Sequence, residues 1–198
     1  MEINIENAKK ILKKYLKEQD EEKYKHSLRV ATVSKILAEK WNVPPEDCII
    51  AGLLHDIGKG LSKQEILNLC FQNNITMYDF EIFETPKALH GRISSFLFEK
   101  EFDKTDIERF NSISHAISYH VAGGDEKMSD LDKILYIADN IEPKKNSRLY
   151  KEMLSQEKPE MDEWMKKIIN IKRKKANQMN RVYNPLIDAT LDALEDER

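Results

Sequence analysis

No apolar run in this chain approaches the ~18–20 residues needed to span a bilayer. The opening Met1-Glu2-Ile3-Asn4-Ile5 lacks the basic stretch and apolar core of a secretory signal, so a cytoplasmic protein is expected. Glycine and proline are scarce, six of each in 198 residues. That scarcity disfavours a sandwich or barrel with frequent turns and favours long helices in one domain spanning 1–198. Only two cysteines occur, Cys48 and Cys70, both in apolar helical patterns. They read as buried free thiols in a reducing compartment rather than a disulfide framework. The formal net charge of −3 gives no overall basic excess and argues against a nucleic-acid partner.

What is present is helical periodicity. Ile5, Ala8, Ile11, Leu12, Tyr15 and Leu16 share one face of a helix from about Asn4 to Lys17. A longer helix is expected from about Glu21 to Trp41, with Val30, Val33, Ile36 and Leu37 inward. Pro45 is placed to open the next helix, which runs to about Asp56 and stops at Ile57-Gly58-Lys59-Gly60, where glycine permits a turn. Ser62 and Glu65 have capping-box spacing. Asn73 to Lys87 reads as irregular. Further helices are expected at about Ala88–Lys100, Thr105–Tyr119 and Ser129–Ile141, with a loop at Gly123-Gly124. Two or three more follow, broken near Lys158-Pro159 and Asn184-Pro185.

Polar residues interrupt this pattern where apolar ones belong. His55-Asp56 ends the apolar run Cys48-Ile49-Ile50-Ala51-Gly52-Leu53-Leu54. Buried, such a pair needs partners, because an unpaired buried charge costs several kcal/mol or neutralises. Imidazole and carboxylate both ligate borderline divalent metals, so the pair marks a candidate metal-dependent hydrolase. A helical-face test sorts the remaining histidines. His26 shares a face with Val30, Val33 and Leu37; His90 with Ile93 and Leu97; His120 with Ile113, Ala116 and Ile117. Asp139 lies on the face of Leu131, Leu135 and Tyr136. All four point inward. His115 shares its face with Asn111, Ser112 and Ser118 and is expected to face solvent or the rim of a site. Any one buried histidine is commonly satisfied by a hydrogen bond, but so many titratable groups in one domain point to a shared purpose.

The order His26, His55-Asp56, Asp139 resembles the HD-domain phosphohydrolase superfamily, and His90 and His120 between them resemble its branch with a two-metal site. More specifically the chain looks like the YqeK family of bacterial HD proteins. The matching stretches are His26-Ser27-Leu28-Arg29-Val30-Ala31, Ala51-Gly52-Leu53-Leu54-His55-Asp56-Ile57-Gly58-Lys59, Leu89-His90-Gly91, Ala116-Ile117-Ser118-Tyr119-His120 and Lys133-Ile134-Leu135-Tyr136-Ile137-Ala138-Asp139-Asn140-Ile141-Glu142-Pro143. One departure is Val121-Ala122, where small hydroxyl residues are usual. The resemblance implies an all-α helical bundle, an HD core over about 20–145 and a C-terminal helical extension over about 146–198. It implies symmetrical cleavage of diadenosine tetraphosphate to two ADP. It implies two divalent ions, iron first, with manganese, cobalt or zinc also allowed by the ligands. One ion takes His26, His55, Asp56 and Asp139, and the other takes His90 and His120, with Asp56 bridging.

Two such ions lower the pKa of a shared water toward neutral and absorb charge developing on phosphoryl oxygens. Cations should then hold the polyphosphate. Lys59, just past His55-Asp56, is the first candidate, alongside Asp56 at the catalytic centre. Arg29, one turn after His26, follows, then Arg92 and Arg148. Gly58 and Gly60 fit no phosphate-loop pattern. Another nucleotide substrate, such as a deoxynucleotide or an alarmone, stays open, as does the oxygenase chemistry known among two-iron HD proteins. So does a non-enzymatic module binding RNA or the ribosome through Lys166–Lys175, whose basic face otherwise reads as solvated. Exposed apolar positions on the C-terminal helices fit a homodimer or core packing equally.

Overall fold

The apolar stripes close on one another as helices, and each helix end is fixed by a residue suited to it. In a computed structural model that describes residues 1–121, 123, 128–180 and 184–196, α1 (Ile5–Leu12) runs into a wider turn, Lys13–Lys17. There follow α2 (Glu21–Lys40), α3 (Pro45–Leu54), α4 (Lys63–Gln72), the short α5 (Asp79–Phe83), a tight 3₁₀ turn (Pro86–Leu89), α6 (His90–Glu101), α7 (Ile107–Tyr119), α8 (Asp130–Ile141), α9 (Pro143–Ser155), α10 (Met161–Gln178) and α11 (Leu186–Asp196). No strand occurs among the described residues. Asn4, Asp20, Ser62, Asp106 and Ser129 cap α1, α2, α4, α7 and α8, with full capping boxes at Ser62/Glu65 and Ser129/Asp132.

The core organises around α8, which is buried from Leu131 through Ile141. A helix buried on all sides belongs at the centre of a domain. α2, α3, α7 and α10 pack around it. α2 and α3, joined by the short Trp41–Pro44 turn, lie close because Gly52 faces Ala31: a Cβ at Gly52 would stand 2.7 Å from the Ala31 Cα. A smaller apolar cluster of Ile66, Cys70, Leu89 and Ile93 seats α4 against α6. Both cysteines are buried and free, as their context suggests, and burial pushes the Cys48 thiol up to about 12.

Several boundaries differ from the sequence expectation. α3 ends at Leu54, two residues early, because Ile57 N–H donates to Leu54 O and Lys59 N–H to Asp56 O, so the chain tightens into turns. His55 and Asp56 thus sit in the turn rather than on the helix. The stretch 73–87 is not wholly irregular; it holds α5, and Pro86 opens the 3₁₀ turn, which delays α6 to His90. Gly58 is needed for close approach, not for an unusual φ. Its N–H donates to Ser94 Oγ at 2.9 Å, and a Cβ would meet Ile93 Cγ2 at 2.8 Å. Gly123 has φ +70, while Gly124 lies outside the described residues, as does Ala122 of the departing dipeptide. After Asn184-Pro185 the chain forms α11.

Gly58→Ala should destabilise the fold by about 1–3 kcal/mol, the usual range for overpacking a close contact. Urea unfolding read by circular dichroism checks this; an unchanged midpoint would show that the α3–α4 turn does not rest on α6.

Candidate metal centre

Four histidines and two aspartates from five helices converge beneath one surface depression. His26 comes from the first half of α2. His55 and Asp56 follow α3, His90 begins α6, His120 follows α7, and Asp139 lies near the end of α8. Three of the imidazoles are set by the same local device. His55, His90 and His120 each turn Nδ1 back onto the backbone carbonyl three residues earlier: Gly52 at 2.8 Å, Lys87 at 2.7 Å and Ile117 at 2.7 Å. A carbonyl only accepts, so Nδ1 carries the proton and the Nε2 lone pair is left facing inward. This is how metal-ligating histidines are commonly oriented.

The inward atoms crowd together around Asp56, whose side chain is fully buried. His90 Nε2 lies 3.1 Å and His120 Nε2 3.6 Å from Asp56 Oδ1. His55 Nε2 lies 3.4 Å and His26 Nε2 3.6 Å from Oδ2. Asp139 Oδ1 adds contacts at 3.0 Å to His26 Nε2 and 3.8 Å to His55 Nε2. Two donor groups result, His26/His55/Asp56 and Asp56/His90/His120, sharing Asp56.

Could these residues hold cations? Three observations fit. His55 Nε2 and Asp56 Oδ1 are buried without a hydrogen-bond partner, a state that costs about 1–3 kcal/mol per group unless something satisfies it. His90 and His120 present Nε2 atoms to each other at 3.2 Å, while each Nδ1 is already committed as donor. Two lone pairs at that distance need a positive charge near them. Finally, the nitrogen and oxygen donor set lacks thiolate and suits a divalent first-row metal.

The charges in and around the site are balanced by named partners. Burial favours the neutral form of Asp56, but the adjacent His55, followed by His120 and His90, holds its carboxyl well below the ordinary range. Asp139 is likewise held low against burial, chiefly by Lys145, whose ammonium spans both oxygens at 2.9 and 3.0 Å. Burial pushes His120 down to about 4, outweighing the pull of Asp56, so near neutral pH the ring is uncharged and able to ligate. His26 titrates above its ordinary value: burial opposes this, and Asp139 and Asp56 overcome it. Its Nδ1 faces Glu142 Oε1 at 3.2 Å, and Arg29 Nε in turn donates to Glu142 Oε2 at 2.8 Å.

The candidate substrate cations divide. Lys59 stands at the centre, its Nζ 2.8 Å from Asp56 Oδ2. Arg29 and Lys59 line one cavity of about 330 Å³ together with His26, Asp56 and Lys145. Arg92 does not reach it. Its guanidinium is taken by Glu81 and by Thr76 O at 3.0 Å, and it lies over the Tyr78 ring beside a different depression. Arg148 is on the exposed side of α9. His115 is not simply at a rim, because its Nδ1 lies 2.9 Å from the buried Asp132 carboxylate.

Sequence reasoning missed Glu142, Lys145 and Lys172. Glu142 had a signal, lying three residues after Asp139 on the same helix face, where Pro143 starts a new helix. Lys172 was hidden in a basic run, yet it follows Ile168 by four residues on the apolar stripe of α10. It is half-buried, reaches Val121 O at 3.3 Å and lies over the Tyr136 ring. Burial holds its pKa below the usual lysine value despite the pull of Asp139.

Comparison with known proteins agrees with this geometry. The family model described as HD domain matches residues 24–144. A symmetrical bis(5'-nucleosyl)-tetraphosphatase of Staphylococcus aureus is 34% identical over 145 residues, 71% of this chain and 68% of the relative. The Bacillus subtilis protein of the same name is 28% identical over 71% of this chain and 70% of the relative. Among solved structures, a predicted HD superfamily hydrolase involved in NAD metabolism from Clostridium acetobutylicum aligns over 100% of both chains, with a TM-score of 0.84 and 25% identity.

Glu142→Gln keeps the shape of the side chain but removes the charge that orients His26. It should weaken metal affinity about 10–100-fold, the usual consequence of losing such an outer partner. Competition of the protein with a chelating dye for manganese measures this; an unchanged affinity would show that Glu142 does not orient a ligand.

Proposed function

The chain belongs to the HD domain family, and from that membership we propose a metal-dependent phosphohydrolase that cleaves diadenosine tetraphosphate symmetrically to two ADP. The substrate is the one named for the relatives, the symmetrical bis(5'-nucleosyl)-tetraphosphatases. The observation that carries the chemistry is the pair of donor groups joined by Asp56, at the floor of a cavity whose walls carry Lys23, Arg29, Lys59, Lys144 and Lys145. Each of these cations is paired with a neighbouring carboxylate, and together they can turn donors to the oxygens of a polyphosphate above the metal site.

In this reading His26, His55, Asp56 and Asp139 hold one divalent ion, and Asp56, His90 and His120 hold a second. Iron is the first choice, with manganese, cobalt or zinc compatible with the same donors. When bound, such ions activate water near neutral pH and neutralise charge on phosphoryl oxygens. The protein's own groups do the positioning. Lys59 sits beside Asp56 and can bind an oxygen of the phosphorus under attack. Its ammonium stays protonated: burial opposes this, but Asp56 and Asp139 outweigh it and raise its pKa. Arg29, fixed by Glu142, presents its remaining donors to the same cavity. Water attacks one of the two inner phosphorus atoms, the bond from that phosphorus to the central bridging oxygen breaks, and two ADP form. The attacked half gains the water oxygen, the leaving half keeps the bridging oxygen, and the water's protons pass to solvent. Buried free thiols and the lack of a helix able to cross a membrane among the described residues support a cytoplasmic location for this chemistry.

The test is anaerobically purified protein, supplied with iron or manganese and incubated with diadenosine tetraphosphate, its products separated by chromatography. ADP as sole product, abolished by Asp56→Ala, is expected. AMP with ATP would overturn the scissile bond, and no turnover would shift the reading to another nucleotide. Lys59→Ala should lower kcat about 10²–10³-fold, as when one preorganised donor to a developing charge is lost; steady-state kinetics with unchanged kcat would remove Lys59 from the catalytic step.

A further inference from the structure

The cavity over the metal centre does not end there. Lys145 lines it and also lines a second cavity of about 400 Å³ bordered by α8, α9 and α10. On the opposite flank Lys23 and Lys59 are shared with a third, of about 410 Å³, beside His90. Shared lining residues make the three neighbours, with His26 and Asp56 lining the middle one. Each volume falls within the ~300–1,000 Å³ of small-molecule sites.

The α9–α10 end has the more informative chemistry. Ile168, Ile171 and Met179 give it an apolar surface, while Lys172 and Lys175 stand beside them on α10. Ile171 and Met179 are among the large apolar side chains left exposed, at 42% and 46%. No carboxylate pairs with Lys172 among the described residues; its partners are a carbonyl oxygen and the Tyr136 ring. An apolar surface beside the half-buried Lys172 ammonium and the exposed Lys175 ammonium suits a ligand with an aromatic base at one end and anionic phosphates at the other. The Lys145 bridge to Asp139 places the phosphate end toward the metal donors.

We propose that this cavity is the subsite for one nucleoside diphosphate half of the substrate, its base on Ile168, Ile171 and Met179 and its phosphates on Lys145, Lys172 and Lys175. The assignment rests on the phosphohydrolase reading above. It gives the basic segment of α10 a role toward a small nucleotide rather than RNA, and it makes the C-terminal helices part of the active site.

The experiment uses manganese-loaded protein and adenosine 5'-(α,β-methylene)diphosphate, which resists cleavage, in a calorimetric titration. Photolabelling by 8-azido-ADP, with the labelled peptide identified by mass spectrometry, locates the ligand. Lys175→Glu, an exposed position, should weaken binding about tenfold or more through loss of a charge-assisted contact. Ile171→Trp should weaken it by filling the cavity. Lys174→Glu, also exposed but outside the cavity lining, imposes the same charge change and should stay within about twofold of wild type if only contact matters. Label is expected within residues 146–179. Equal loss in Lys174→Glu would mean a general field effect and would overturn the subsite. So would wild-type affinity in both cavity variants, or label confined to the His90 flank. Turnover of diadenosine tetraphosphate by wild type, measured in parallel, separates the two readings. Turnover with misplaced label leaves the function and removes the subsite. Correct label and variant losses without turnover keep a nucleotide subsite and remove the substrate.

Discussion

The structure depends on one buried carboxylate. Asp56 has no exposed side chain, and an ionised carboxylate out of water carries a desolvation penalty of several kcal/mol unless charge and hydrogen bonds compensate it. Lys59 from the following turn supplies a cationic contact, while the Nε2 atoms of His26 from α2, His55 beside it in the chain, His90 from α6 and His120 after α7 crowd the same two oxygens. Since His55, His90 and His120 present lone pairs there, cations are needed to complete the compensation. The helices therefore cannot slide independently, because each brings a donor atom to the same shared site. Close packing at Gly52 and Gly58 keeps α3 and its turn near α2 and α6.

The imidazoles are preset by backbone. A carbonyl three residues back fixes the tautomer of His55, His90 and His120 without using another side chain. This leaves acceptor atoms facing one another, an arrangement that is poor for an empty core and good for cations. His26 differs in relying on Glu142, which is itself held by Arg29. That chain links the donor set to the cationic cavity, so ligand orientation and anion binding share residues.

Much of this was legible in the sequence. Helical periodicity located the main helices, and polar residues on apolar faces singled out His26, His90, His120 and Asp139, which the structure brings together with His55 and Asp56. Helix ends were less legible. His55 and Asp56 leave the helix because turn bonds at Ile57 and Lys59 compete with continuation of α3. Long cationic side chains were the least legible. A face test places a Cα, but a long flexible stem separates it from the charge, so partners decide where the charge goes. Arg92 was drawn away by Glu81, His115 was paired with Asp132, and Lys172 was hidden among solvated lysines until α10 was packed on α8.

The most direct test of the central claim is anomalous X-ray diffraction from crystals of the protein grown with manganese. Two peaks are expected, sharing Asp56 as a common ligand, one against His26, His55 and Asp139 and the other against His90 and His120. A single peak, or two peaks that do not share Asp56, would contradict the account.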